Sequence, residues 1–139
     1  MNANRSIPDA SVMPVLGYAD VTGAADWLCE AFGFRKRLVI GSHRIQLVHG
    51  DGALVVTELR GAGEGGDHDH SLLVRVDDVD THRDRAVAAG ARIVHEPEDH
   101  PYGERQYTAT DPGGHRWVFS QTIADADPAD WGGQLVEED

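Results

Sequence analysis

Hydrophobic and polar positions alternate with a period of two through much of this chain, and twice they give way to a helical period. Arg105, Tyr107 and Ala109 fall on one side of an extended segment, and Gln106, Thr108 and Thr110 on the other. Beyond Asp111-Pro112-Gly113-Gly114 the alternation resumes, with Trp117 and Phe119 on one face and Arg116, Val118 and Ser120 on the other. Proline presets φ at about −65° and a following glycine takes positive φ without steric conflict. This stretch is therefore expected to be a β-hairpin of two long strands, packed on one face and open on the other.

The rest of the chain falls into place around that hairpin. Val12 to Tyr18 reads as a strand. Asp20 or Thr22 caps a helix over Ala24 to Phe32, where Ala24, Trp27, Leu28 and Ala31 share a face, and Gly33 stops it. Arg35 to Ile40, His43 to Val48 and Ala53 to Leu59 read as three further strands, the last two joined through Gly50-Asp51-Gly52. The run from Arg60 to His70, rich in glycine and charge, reads as a flexible linker. Then the order repeats: a strand over Ser71 to Val76, a helix over Val79 to Ala89 capped by Asp77 or Asp78 and stopped at Gly90, and a strand over Ala91 to His95. A polar loop over Glu96 to Gly103 leads into the hairpin. After Ile123 the periodicity is lost, and Trp131 in the tail is expected to pack on the domain or on a second subunit.

The repetition is visible in single residues. Asp20-Val21 and Asp78-Val79 lie 58 positions apart, the glycines that stop the helices 57, and Gly52 and Gly114 62. Two copies of strand–helix–strand–strand–strand give eight strands and two helices, an α+β fold, so internal duplication frames every other motif. The expected organisation is a single domain over 1–139: module one at about 12–59, the linker at 60–70, module two at about 71–121 and a tail at 122–139.

Composition narrows the function. The chain has 139 residues, 40% of them hydrophobic and 26% charged, enough for one domain with a real core. The net charge of −12 argues against nucleic acid and anionic membrane as partners. No apolar run approaches the roughly 18 residues of a membrane span. The polar start, Met1 to Ala10, lacks the pattern of a secretory signal, so a cytoplasmic location is expected. Cys29, the single cysteine, falls among apolar helical positions and reads as a small core residue.

Three pieces in order on this duplicated frame, YADVTGAADWLCEAFGF at 18–34, VDDVDTHRDRAVAAGA at 76–91 and YGERQYTATDPGGHRWVFS at 102–120, resemble the vicinal oxygen chelate superfamily. That superfamily includes glyoxalases, extradiol dioxygenases, bleomycin-resistance proteins and PhnB-like proteins; the tail, with Asp127-Pro128 and Trp131-Gly132, is similar to the PhnB-like and bleomycin-resistance-like branch. The resemblance implies two βαβββ modules forming a U-shaped, eight-stranded mixed sheet, helices on the convex side, a ligand in the concave cleft, and a homodimer.

Metal-dependent members place His, Gln or Glu on the first and last strands of each module. Transferred to this chain, those positions fall near Met13 and Ser71 and at Val56 and Val118, none a usual ligand for a borderline or hard cation. A shift along the strands offers Glu58 or His70 and still leaves a poor set. His68-Asp69-His70 sits in the glycine-rich run and reads as solvated loop, and His115 in the turn motif as a structural hydrogen bonder.

No cofactor is therefore expected. The expectation is a protein that holds a small organic molecule without metal; the alternative is a metal-dependent lyase, isomerase or dioxygenase of the same superfamily, and a third reading is a dimeric interaction module. Ligand-contact candidates are Glu58, Arg75, Arg105, Tyr107, Arg116 and Val118, with Gln106 and Thr108 in place of Arg105 and Tyr107 if the strand faces the other way. Arg75 interrupts the apolar run LLVRV and needs a partner, for which Glu58 is the nearest candidate. Tyr107 and Trp117 read as core or interface residues rather than as stacking platforms for a ligand.

Overall fold

The computed structural model describes residues 4–59 and 70–135. Each module contributes one helix and four strands. Module one holds β1 (Val15–Tyr18), α1 (Val21–Phe32), β2 (Arg35–Ile40), β3 (Arg44–His49) and β4 (Gly52–Glu58); module two holds β5 (Leu72–Arg75), α2 (Val79–Ala88), β6 (Arg92–His100), β7 (Glu104–Thr110) and β8 (Arg116–Thr122). The strands form two four-stranded mixed sheets in the orders β1-β4-β3-β2 and β5-β8-β7-β6. In each, the first strand runs parallel to the last and the other neighbours are antiparallel. Among the described residues no strand pairing joins β1 to β5; side chains bridge the two free edges instead.

The helix signals are local and repeat with the modules. Asp20 accepts the Gly23 N–H at 3.0 Å, and Asp78 accepts that of Thr81 at 3.1 Å, so each aspartate satisfies a donor its helix cannot. Gly33 closes α1 in the left-handed region at φ 81°, where a side chain would be strained.

One core runs through both modules. Leu28, Phe32, Leu47 and Val56 from the first meet Val79, Tyr107, Trp117 and Phe119 from the second, all buried. The Phe32 ring, at the end of α1, lies 5.3 Å from Trp117 and 4.7 Å from Phe119 by ring centres. The helices therefore pack on the face that carries Trp117 and Phe119; the opposite, open face of each sheet carries no helix, although Gln46, Val55, Thr108 and Ser120 on it are buried and Gln46 donates to the Ser6 carbonyl at 2.8 Å. The alternation read from the hairpin holds: Trp117, Phe119, Tyr107 and Ala109 are all buried.

Two strands differ from the sequence reading. β6 continues through Glu96, Pro97 and Glu98 to His100, where a loop was expected, with register shifts around His95. It is the edge strand of its sheet, so the N–H missing at Pro97 removes no bond that the ladder needs. In module one the open face of β4 carries Ala53, Val55 and Thr57, not Leu54, Val56 and Glu58. Gly17 pairs with Thr57, and its repeat counterpart Arg75 pairs with Ser120, so β8 lies 63 positions after β4. The β7–β8 turn is longer than its counterpart, which makes the glycine spacing of 62 one short, and a one-residue slip exchanges the faces of a strand.

The tail returns to module two. Ile123 and Ala124 donate to the Gly103 carbonyl at 2.9 and 3.3 Å, and the Trp131 ring stands edge-on to Tyr102 with ring centres 5.6 Å apart.

Candidate functional site

The two modules meet through reciprocal contacts at their free edges. In a parallel ladder alternate residues turn their main-chain groups away from the partner strand. Gly17 on β1 and Arg75 on β5 are such residues, and they occupy the same place in the repeat. The Gly17 carbonyl accepts from His115 Nε2 at 3.0 Å, and the Arg75 carbonyl from His49 Nε2 at 3.0 Å. Each histidine comes from the closing hairpin of the other module. The helix ends exchange contacts as well. Arg85 donates from Nε to the Glu30 carbonyl at 2.9 Å and from Nη2 to that of Cys29 at 3.2 Å, while Trp27 Nε1 donates to the Ala89 carbonyl at 2.8 Å. A cationic side chain thus lies against the negative end of α1.

The symmetry stops at the side chains. At the β1 end the junction is filled by a clasp centred on Asp111, which is buried. Its Oδ1 accepts the N–H groups of Gly113 and His115, each at 3.0 Å. Its Oδ2 accepts the Tyr18 hydroxyl at 2.5 Å and Trp117 Nε1 at 3.0 Å. Burial, and then the Asp111 charge and hydrogen bond, push the Tyr18 hydroxyl far above its ordinary pKa, so it keeps its proton and donates to Asp111 at neutral pH. At the β5 end the residues that stand where Tyr18 and Trp117 stand are Val76 and Leu54. These smaller side chains border a cleft of about 1040 Å³. Val12, Pro14, Leu72 and Leu73 supply apolar surface, with the buried rings of Phe32, Phe34 and Trp117 behind; His49, Arg75, His82 and Arg85 supply polar groups.

His82 is fixed where it borders the cleft. Its Nε2 lies 3.1 Å from the Phe32 carbonyl, which can only accept, so the proton sits on Nε2. Its Nδ1 then accepts from the Tyr107 hydroxyl at 2.5 Å. Burial lowers the pKa of His82, and the nearby His49 and Arg85 act in the same direction against the Phe32 hydrogen bond. Burial raises that of Tyr107. The cleft is therefore bordered by an imidazole whose charged form burial disfavours.

The open face of module two carries a second polar row. Tyr102 donates to Gln106 Oε1 at 3.0 Å, Gln106 Nε2 to Ser120 Oγ at 3.1 Å, and Ser120 Oγ to Glu104 Oε1 at 2.6 Å. Beside it Arg75 Nη1 donates to Thr122 Oγ1 at 2.6 Å. Burial works against the charge on Glu104, but hydrogen bonds from Ser120 and Thr122 and the Arg75 charge outweigh it and lower the pKa.

The six candidate contacts separate between two faces. Arg75, Arg116 and Val118 share the open face, and of these Arg75 also borders the cleft. Gln106 and Thr108, not Arg105 and Tyr107, lie beside Val118 and Ser120 on that face. Tyr107 is buried in the core, and Arg105 is held on the helix side by Asp99 at 2.6 Å and Asp80 at 3.0 Å. Glu58 is exposed beside Tyr18, on the face opposite to Arg75, so the partner that Arg75 needs is Thr122. His49, His82 and Arg85, none of them a candidate from the sequence, are brought together at the junction.

The resemblance implies four positions for metal ligands. On the corrected register they are Met13, Val55, Ser71 and Val118, all on the open face, and none carries a nitrogen or carboxylate ligand. Among the described residues no three His, Cys, Asp or Glu side chains come together to hold an ion. His68 and Asp69, like the rest of the expected linker up to residue 69, lie outside the described residues. No helix among the described residues is long and apolar enough to cross a membrane.

Comparison with known proteins agrees with this architecture. Residues 12–119 match the model of the glyoxalase/bleomycin resistance protein/dioxygenase superfamily. The crystal structure of TioX from Micromonospora sp. ML1 is similar at 36% identity and a TM-score of 0.66, covering 81% of this chain and 100% of that one. A glyoxalase/bleomycin resistance protein from Streptomyces sp. CB03234 is similar at 25% identity and a TM-score of 0.66, covering 78% and 97%. An uncharacterised protein of Mycobacterium bovis is 38% identical over 53 residues, 38% of this chain and 35% of that protein, so the matched segment spans about a third of the relative.

Proposed function

The chain belongs to the glyoxalase/bleomycin resistance protein/dioxygenase superfamily, and from that premise we propose that it binds a small organic molecule at the module junction, without a metal and without making or breaking a bond. The observation that carries this reading is the cleft of about 1040 Å³ at the junction where Val76 and Leu54 occupy the repeat positions of Tyr18 and Trp117. Its size, its apolar walls and its few fixed polar groups are the make-up of a small-molecule site. The residues at the superfamily's metal positions supply no ligand set for Lewis-acid chemistry. A second copy of the chain is proposed to cover the open faces, where Val15 is 53% and Leu73 68% exposed.

The test fills the cleft. Leu54→Trp places at this junction the side chain that Trp117 supplies at the other. A panel of aromatic and aliphatic compounds is screened by thermal shift and isothermal titration against both proteins. Binding to the parent and loss in a Leu54→Trp variant of unchanged circular dichroism are expected. Equal binding by both proteins would move the site out of the cleft.

A further inference from the structure

Residues 4–8 lie against the open face of module one. The turn over Asn4 to Ile7 is held from within: the Ser6 N–H donates to Asn4 Oδ1 at 3.0 Å, and the Ile7 N–H to the Asn4 carbonyl at 3.5 Å. The carbonyls of Arg5 and Ser6 then meet two donors on the sheet. Arg37 Nη2 on β2 donates to the first at 2.9 Å, and Gln46 Nε2 on β3 to the second at 2.8 Å. Arg37 Nη1 also donates to Gln46 Oε1 at 2.7 Å, so the guanidinium and the amide orient each other. Gln46 is 5% exposed and is bonded at both ends of its amide, at one end only while the turn is docked.

Module two has no matching pair of donors. Gln46 pairs with Val55, and at the same place in the repeat Thr108 pairs with Val118. The threonine side chain is shorter by two atoms. The residue before the next cross-strand neighbour is Arg37 in module one and Val94 in module two. Beneath the turn Val55 is buried, whereas Val118 is half-buried. The turn holds on by little. Arg5, Ser6 and Ile7 are exposed, Pro8 is buried, and among the described residues no strand pairing joins this run to the sheet. Two hydrogen bonds and one proline ring open locally at a small fraction of the cost of unfolding the domain. From Pro8 the chain continues through residues 9–11 to Val12 and Pro14, which border the cleft. Val12 is 81% exposed, so its place is set mainly by the chain on either side. At Pro14 the chain is fixed again, its carbonyl accepting the Val55 N–H at 2.9 Å.

We propose that residues 4–12 form a strap that gates the cleft. Docked by Arg37 and Gln46, the strap holds Val12 at the rim; released, it pivots about Pro14 and widens the entrance. Entry of a molecule then waits on release of the latch, a local opening that leaves both sheets intact. This inference rests on the proposed small-molecule reading and adds a control on entry to the same site.

Trypsin reports on the strap directly, because the carbonyl it must attack at Arg5 is the one that Arg37 holds. Cleavage after Arg5, followed by mass spectrometry, is compared in the parent and in Arg37→Met, Gln46→Met and Pro8→Gly. The last leaves both donors in place and serves if a latch variant fails to fold by circular dichroism. Entry to the cleft is measured by stopped-flow association of anilinonaphthalene sulfonate with each protein, alone and combined with Leu54→Trp. Losing one hydrogen bond from the docked state raises the released fraction, and with it the cleavage rate, by about fivefold. Dye association faster by a similar factor, with the gain removed by Leu54→Trp, is the expected result. Unchanged cleavage overturns the latch. Faster cleavage with unchanged association overturns the gate, as does a gain that survives Leu54→Trp and so lies outside the cleft. In each of those cases, compounds from the panel that bind the parent and not Leu54→Trp keep the small-molecule reading. No binding by dye or panel overturns both.

Discussion

Replacing Asp111 by asparagine is the most direct perturbation of the joint between the modules. The carboxylate takes four donors, two main-chain N–H groups on Oδ1 and the Tyr18 hydroxyl and Trp117 Nε1 on Oδ2. Asparagine keeps one acceptor oxygen. With that oxygen facing Gly113 and His115, its NH2 group faces Tyr18 and Trp117. The tyrosine hydroxyl can turn and accept; an indole N–H cannot. A donor on a fully buried side chain is then orphaned, which costs about 1–3 kcal/mol, and the Tyr18 bond loses the assistance of a charge, about 1 kcal/mol more. The total is about 2–4 kcal/mol. With an unfolding entropy of about 2.1 cal/mol/K per residue, a chain of this length melts roughly 7–14 °C lower. Thermal and urea unfolding followed by far-ultraviolet circular dichroism measure it. Tyr18→Phe removes one charge-assisted bond, orphans no donor, and costs less, about 1.5–3 kcal/mol. The double variant is less destabilised than the sum, because both changes act on the same Tyr18–Asp111 bond, one weakening it and the other removing it. A melting point for Asp111→Asn within about 2 °C of the parent would refute the reasoning, as would strict additivity in the cycle.

Other outcomes follow from the same contacts. A Cβ at Gly113 would lie 2.7 Å from Tyr18 Cδ2 on a ring pinned by its hydroxyl, so Gly113→Ala destabilises by about 1–3 kcal/mol in the same unfolding assay. Tyr18 and Tyr107 both have raised pKa values in the fold, so the unfolded state loses their protons first. Stability is whole below the ordinary tyrosine value of about 10 and then falls with rising pH by up to about 1.4 kcal/mol per unit for each, a slope that Tyr18→Phe reduces in alkaline denaturation curves. His82 has a lowered pKa, so its contribution is present above the ordinary histidine value of about 6.5 and is lost as pH falls; His82→Gln flattens the acid limb of a stability profile between pH 7 and 5. Saturating Mn²⁺, Ni²⁺ or Zn²⁺ shifts the melting point by less than about 1 °C, since tight binding to the folded form would shift it by several.

The duplicated fold was legible because its signals are local. Asp20 and Asp78 cap the helices, Gly33 stops one of them, and Trp117 and Phe119 alternate with Val118, all within a few residues of sequence. The site was less legible because it depends on register and on contacts between modules. One extra residue in the β7–β8 turn was enough to place Glu58 on the wrong side of β4 and to name Val56 where Val55 stands. Nothing near Tyr107 in sequence says that His82 is its partner, and the choice between Tyr107 and Gln106 for the open face waited on which side the helices cover. The turn Asp-Pro-Gly-Gly-His was recognised as a hairpin signal, and His115 as a structural hydrogen bonder. That its aspartate also anchors a tyrosine 93 positions away could not be read from the turn alone.

A duplicated chain starts with two equal joints, and here they have parted company. The joint at Asp111 gathers a carboxylate, a phenol and an indole that constrain one another, so almost any single change there is felt by the whole fold. The joint at Val76 and Leu54 has no such clasp, although the rings of Phe32 and Trp117 behind it belong to the core. On the proposed reading, the frame is held at one end of the repeat and the ligand is recognised at the other.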